Sequence, residues 1–435
     1  MKKFITTLKN IFAIEDLRIR ILNTLGFIVI FRLGSFVVLP GIDPNQLKAN
    51  TGGLFGLLDT FLGGAFSNAS IFALGIMPYI SASIVLQLLT IAVPYFQKMQ
   101  KEGESGRKKI NQITRVLTIV ITLAQAVGFV ATINSEAIAI NTTLFTILSM
   151  IVLTSGTIFC MWLGERITDK GIGNGISMLI MIGIISRFPG ALVAEFISNQ
   201  AFVFLIELAI LFFVVMSVVM LTQAVRRIPL QYAKQVGGSS LYSGQRQFIP
   251  MKVNAAGVMP IIFAQSLMFL PSMLASIWAD TNETANYIGA TFSDFTSWQY
   301  NLVFGLMILI FTYFYTAISV NPNQIADDLK RSGGFVPGIK PGKATSEYID
   351  SILTRITLPG AIYLALVAIF PAIAMLFGVT REFSQFFGGT SLIIMVGVVL
   401  DTLQQIESYL LMKHYDGMMK SGKLRGRTEN IAMVS

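Results

Sequence analysis

The sequence predicts an all-α integral membrane protein, ten transmembrane helices in two inverted five-helix halves, and three observations carry that prediction. The 435 residues are 54% hydrophobic and 13% charged, with mean hydropathy +0.68, whereas soluble domains carry roughly 25% charged residues. Ten apolar stretches are long enough to cross a hydrocarbon core of about 30 Å at about 1.5 Å per helical residue. One short motif, Gly-x-Met-Pro-x-Ile, occurs twice, in spans that run in opposite directions.

The spans fall at about 19–40, 70–93, 114–134, 143–164, 172–188, 202–224, 255–276, 301–320, 355–378 and 389–412. Of the 32 Lys and Arg residues, 28 lie in segments that share one side if both termini are cytoplasmic. Lys48, Arg187 and Arg381 fall on the other side and Arg32 within the first span. Positive charge concentrates on the cytoplasmic face of membrane proteins, so ten spans with both ends inside satisfy the distribution, and the net charge of +9 belongs to that face. The N-terminus, MKKFITTLKNIFAIEDLRIR, is basic and amphipathic and has no cleavable apolar core. Halves at 1–190 and 191–435 follow.

Composition also excludes chemistry. Cys160 is the one cysteine and His414 the one histidine, so no disulfide, cysteine-built metal site or histidine-centred catalyst is expected. GIKPGKA (338–344) is one residue short of a phosphate-binding loop and has Ala344 where Ser or Thr must stand. A protein that is not an enzyme and holds no cofactor is expected. The inside loops 225–254 and 321–354 are long enough to be functional, and the first alternates around Gly237-Gly238 as a protruding hairpin would.

Between spans 1 and 2, GGLFGLLDTFLGGAFSN (52–68) is bracketed by glycine pairs and interrupted by Asp59, so it does not cross; it is either re-entrant or interfacial. In the repeated motif Gly75, Met77, Pro78 and Ile80 match Gly257, Met259, Pro260 and Ile262, 182 residues on. GISMLI (175–180) and GTSLII (389–394) form a second pair, again in oppositely directed spans, with Ile180 matching Ile394. This is the pattern of an inverted repeat. Counting helical rise from the membrane entry points puts Ile80, Ile180, Ile262 and Ile394 near mid-bilayer. A ring of branched apolar side chains around a central pore, sealing by dewetting, is the expectation, with each Met-Pro loosening its helix at that level. The ionisable residues Arg32, Glu207, Asp401 and Glu407 do not gather there, which disfavours an ion-coupled transporter. Gln87, Gln125 and Asn254 supply polar groups in or beside spans 2, 3 and 7.

FALGIMPYISAS (72–83), EGESGRKKINQ (102–112), MWLGERITDKGIGNGIS (161–177), MKVNAAGVMP (251–260), ADDLKRSGGFVPGIKPG (326–342) and FGGTSLII (387–394) together resemble the SecY family, the large subunits of bacterial Sec protein-conducting channels, over nearly the whole chain. The resemblance implies an hourglass pore for unfolded secretory proteins, with ring positions Ile76, Ile80, Ile176, Ile180, Ile262 and Ile394. It makes 52–68 a plug carrying Leu54, Phe55, Leu57, Leu58, Asp59, Phe61 and Leu62. It implies a lateral gate lined by spans 2, 3, 7 and 8, to which Ser81, Gln87, Gln125 and Asn254 are assigned, through which signal peptides and transmembrane segments reach lipid. Docking of the ribosome and the SecA motor ATPase is expected at Arg226, Arg227, Lys234, Lys330, Arg331 and Lys340, with SecE-like and SecG-like small subunits alongside. Lys340 stands where the family commonly has Arg, keeping the charge and losing the planar fork. The bacterial cytoplasmic membrane is the implied location.

Overall fold

A computed structural model describes residues 12, 14–43, 59, 62–131, 133, 138–232, 247–265, 267–268 and 283–420. The expected plug residues Leu54, Phe55, Leu57, Leu58 and Phe61, and Lys234, lie outside them. Seven helical segments among the described residues are long and apolar enough to cross a membrane, or eight if a helix pair bent by 101° at Val93-Pro94 is one span. The expected first span, 19–40, is helical only to Gly34, in a helix that begins at Glu15 and carries Glu15, Asp16, Arg18, Arg20 and Arg32. The expected seventh runs into residues outside those described. The chain divides into two compact units, 1–49 with 62–183 and 398–435, and 50–61 with 184–397.

The first unit holds α1 (Glu15–Gly34), α2 (Met77–Ala92), α3 (Pro94–Lys101), α4 (Glu104–Ala131), α5 (Thr142–Lys170), the start of α6 (Gly175–Ser198) and the end of α14 (Gly389–Lys420). Residues 62–76 form a series of turns and bends rather than the helix expected from residue 70. Their backbone bonds are made locally or with the stretch just past α1: Leu39 N–H donates to Ala69 O at 2.9 Å, Ile71 N–H to Val37 O at 2.9 Å and Ser70 N–H to Ala65 O at 3.0 Å. Irregular backbone at this position is tolerated because it is buried and paired. Phe72 stacks on Phe31 and Phe159, each ring pair 5.8 Å apart, and an apolar core including Leu39, Ala73, Phe129, Phe145 and Leu153 packs around the segment.

The second unit holds the rest of α6, then α7 (Ala201–Gln223), β1 (Val225–Tyr232), β2 (Gln247–Lys252), α8 (helical residues 259–265), α9 (Glu283–Ser293), α10 (Trp298–Ser319), α11 (Pro322–Arg331), β3 (Gly334–Phe335), α12 (Lys343–Leu376), α13 (Arg381–Ser384) and the start of α14. The expected hairpin is β1 antiparallel to β2, from Val225↔Lys252 to Leu230↔Gln247. The expected loop 321–354 is largely α11 and the start of α12, and its β3 pairs with the end of β1 through Gln231↔Phe335 and Tyr232↔Gly334. Both long loops therefore fold into one small module, which holds the three strands found among the described residues. Pro229 sits in the middle strand, where a missing N–H is usually excluded, because β3 is two residues long and stops short of it. Ile228, Leu230, Met251, Leu329, Val336, Ile349 and Leu353 form its core.

Pro371, inside α12, cannot donate to Val367 O, four residues earlier. Gly388 packs against that carbonyl: a Cβ on it would lie 2.4 Å from Val367 O. Gly388→Ala is therefore expected to cost about 1–3 kcal/mol, read as a lower thermal midpoint of the detergent-solubilised protein; an unchanged midpoint contradicts this packing. Ile228→Ala is expected to weaken the loop module by about 2–5 kcal/mol. Limited proteolysis should then cut β1 and the Val336–Gly342 stretch faster while the spans stay protected, and wild-type cleavage rates would count against a shared core.

Candidate functional site

The four repeated segments all turn out to be helix starts. In α2 and α8 the Met-Pro pair opens the helix instead of interrupting it, which corrects the expectation of a loosened mid-span. Proline suits the first turn because its absent N–H would have had no intrahelical acceptor and its fixed φ is already helical. The preceding glycines are left-handed in both copies, Gly75 at φ +50° and Gly257 at φ +64°, a region an L side chain rarely enters. The first helical bonds correspond as well: Ile80 N–H donates to Ile76 O at 3.1 Å and, 182 positions on, Ile262 N–H to Val258 O at 3.4 Å. Because residues 70–76 are not helical, helical rise does not give the depth of Ile80. Ile80 lies one turn into its helix, as does Ile262.

The α6 start is capped by side chains. Asn174 Oδ1 accepts the Ile176 and Ser177 N–H groups at 3.1 and 3.3 Å, and Thr168 Oγ1 accepts the Gly175 N–H at 2.9 Å. These bonds satisfy donors that a helix N-terminus otherwise leaves bare. The loop before it is tied down from two sides within the same unit. Thr24 Oγ1 on α1 accepts the Ile172 N–H at 3.1 Å, and Gln405 Oε1 on α14 accepts the Gly173 N–H at 2.8 Å. Arg20 donates to Gly171 O at 3.2 Å and lies 5.3 Å over the Tyr409 ring. The α14 start repeats the α6 pattern: Met178 N–H donates to Asn174 O and, 214 positions on, Leu392 N–H to Gly388 O.

Ile76, Ile80, Ile180 and Ile394 are buried, and Ile176 and Ile262 half-buried. Ile76, Ile80, Ile176 and Ile180 belong to the first unit, Ile262 and Ile394 to the second. Among the residues expected at a gate, Ser81 Oγ donates to Met77 O at 3.2 Å and Gln87 Nε2 to Ser83 Oγ at 3.4 Å, while Gln125 is exposed on α4. Asn254 is buried just before α8. Of the expected plug residues, Leu62 is buried against the position a Gly75 Cβ would fill, 2.4 Å away. Asp59 is buried and paired with Arg187 of α6. The expected docking residues Arg226, Arg227, Lys330, Arg331 and Lys340 are all exposed on the one loop module.

Sequence reading missed Thr24 and Gln405, whose roles depend on tertiary neighbours, and Glu195. The expected fifth span stopped at residue 188, but α6 continues through Pro189. Glu195 is fully buried, with Oε1 accepting from Asn199 Nδ2 at 2.6 Å and Oε2 accepting from the Thr380 N–H at 3.0 Å and from its hydroxyl. The same Asn199 amide donates to Glu207 Oε1 at 3.1 Å, so Glu207 joins the α6 end to α7. Among the described residues no group of three or more His, Cys, Asp or Glu side chains could hold a metal ion.

The family model described as SecY matches residues 70–403. The protein translocase subunit SecY of Streptomyces scabiei is 43% identical over 441 residues, covering 96% of this chain and all of the relative. A solved structure concerned with how the SecY plug domain stabilises the closed channel and maintains a membrane seal superimposes with TM-score 0.63 at 18% identity, over 96% of this chain and 95% of that one. The canine Sec61 channel, solved in a ribosome-channel complex from the endoplasmic reticulum, superimposes with TM-score 0.59 at 17% identity, over the same shares. With its helix starts, its glycine and proline placements and this full-length likeness to a translocase subunit, the chain belongs to the SecY family.

Proposed function

We propose that the chain is the pore-forming subunit of a protein translocase, conducting unfolded secretory proteins across the bacterial cytoplasmic membrane and releasing transmembrane segments sideways into lipid. The observation that carries this reading is the set of four matched helix starts, each delivering a branched apolar side chain about one turn in. Ile76, Ile80, Ile176, Ile180, Ile262 and Ile394 form an apolar constriction that stays dry when empty and yields around a passing chain. The 52–68 segment is the plug, and the halves 1–190 and 191–435 part at a lateral gate that includes Ser81, Gln87, Gln125 and Asn254.

The protein acts as a passive gate. Each Leu-like residue of an arriving signal peptide gains roughly 0.3–0.6 kcal/mol in mid-bilayer, so a gate that lets the segment sample lipid sorts it without catalysis. Force comes from a motor ATPase of the SecA kind or from chain elongation on a ribosome. Both dock on the exposed cations Arg226, Arg227, Lys330, Arg331 and Lys340, with Lys234, on a face that is cytoplasmic together with both termini. The ribosome-channel complex of the Sec61 relative supports the second partner. SecE-like and SecG-like subunits flank the chain in the membrane, where exposed apolar residues such as Phe212, Phe213 and Met220 of α7 suit lipid or a partner helix.

In planar bilayers containing the reconstituted complex, Ile80→Gly and Ile262→Gly are expected to raise resting ion conductance well above wild type; unchanged conductance would remove the ring. Arg187→Leu removes the ion pair that Arg187 makes with the buried Asp59 carboxylate. Its cost is held to about 1–3 kcal/mol because water reaches the half-exposed guanidinium. Resting conductance should rise in this variant and return with Arg187→Lys; a silent Arg187→Leu would detach this pair from sealing.

A further inference from the structure

Within the second unit, the two helices that carry ring positions are joined by a side-chain hydrogen bond. Thr390 Oγ1, in the first turn of α14, donates to Gln265 Oε1 of α8 at 2.5 Å. Gln265 lies three residues after Ile262 and Thr390 four residues before Ile394. Those spacings put each polar residue on the same helix face as its isoleucine. The bond therefore fixes the axial register of α8 against α14 about one turn from each isoleucine.

A cavity of about 40 Å³ adjoins this bond, its wall made by apolar residues such as Phe304 and Pro371 as well as by polar ones. Gln265, Tyr300, Asn301, Gln385, Thr390 and Ser391 supply its polar lining, and it has room for about two or three waters. Breaking a hydrogen bond in a dry apolar core strands two polar groups and costs about 1–3 kcal/mol for each. A cavity large enough to admit water, with polar groups on its wall, gives both groups an alternative partner, so this bond can open and re-form. The inverted repeat offers no equivalent in the first half. The position matching Gln265 is Ser83, whose hydroxyl accepts from Gln87 at 3.4 Å, and the position matching Thr390 is Ile176, which has no polar group.

We propose that Gln265 and Thr390 are positioning residues, a water-exchangeable clamp present in one half of the repeat that holds Ile262 and Ile394 in their resting register and releases when a polypeptide enters. The proposal rests on the reading of those two isoleucines as ring residues. Its test is the resting open probability of the reconstituted complex in planar bilayers, with Ile262→Gly as the reference for a damaged ring. Thr390→Val and Gln265→Leu should each raise it about three- to tenfold. The double variant should leak no more than the leakier single one, since both remove one bond. Thr390→Ser, which keeps the hydroxyl, should behave as wild type, an outcome that loss of packing volume would not give. Wild-type open probability in Thr390→Val and Gln265→Leu, with Ile262→Gly leaking, overturns the clamp and leaves the ring standing. If Ile262→Gly is also silent, ring and clamp fall together. Should Thr390→Val not assemble, Gln265→Leu alone decides, with leak supporting the clamp and wild-type behaviour overturning it.

Discussion

Hydrocarbon offers no hydrogen bond, so every backbone N–H and C=O that leaves a regular helix inside a membrane protein must find a partner in the protein or be designed out. At α2, α6 and α8 the matched helix starts meet that demand by two devices, and the α14 start is set by close packing. At α2 and α8 a proline at the second helical position removes one donor, and a left-handed glycine two residues before the helix turns the chain into it. At α6 Asn174 and Thr168 accept three first-turn donors. At α14 Gly388 and left-handed Gly389 bring the chain tightly against α12. Once these starts are fixed, the isoleucines one turn later have little freedom in where they sit.

Small residues extend the same logic to packing. Gly156 faces Ile71 O, Gly175 faces Gly164 O and Gly388 faces Val367 O, each so closely that a Cβ would lie 2.0–2.4 Å from the carbonyl oxygen. Membrane helices associate largely through such close approach, because lipid competes with any purely apolar contact. The carbonyl that Pro371 releases in α12 meets a glycine immediately before α14, so a missing hydrogen bond in one helix seats the start of another. The loop module is built differently: Ile228, Leu230 and Val336 make an ordinary water-excluding core, and cations remain outside.

Hydropathy alone made most spans legible, since α4, α5, α6, α7, α10, α12 and α14 each contain a window long and apolar enough to cross a membrane. The repeated Met-Pro motif was legible as a symmetry, but its mechanical meaning was not. A proline inside an apolar run reads as a kink until the non-helical 70–76 segment before it is seen. Residues 321–354 read as loop because α11 and the α12 start are polar helices, and hydropathy marks only apolar ones. Glu195, Thr24 and Gln405 carry no local signature at all. Their acceptor oxygens matter because residues far away in sequence, Thr380, Ile172 and Gly173, bring their N–H groups to them.

A photoreactive residue introduced in turn at Ile80, Ile180, Ile262, Ile394 and the exposed α7 position Phe212, in a complex holding a stalled secretory chain, tests the proposed path most directly. Adducts to the secretory chain from the four isoleucine positions and none from Phe212 are the predicted result. Adducts from Phe212 with silence at the isoleucines would contradict a central apolar constriction.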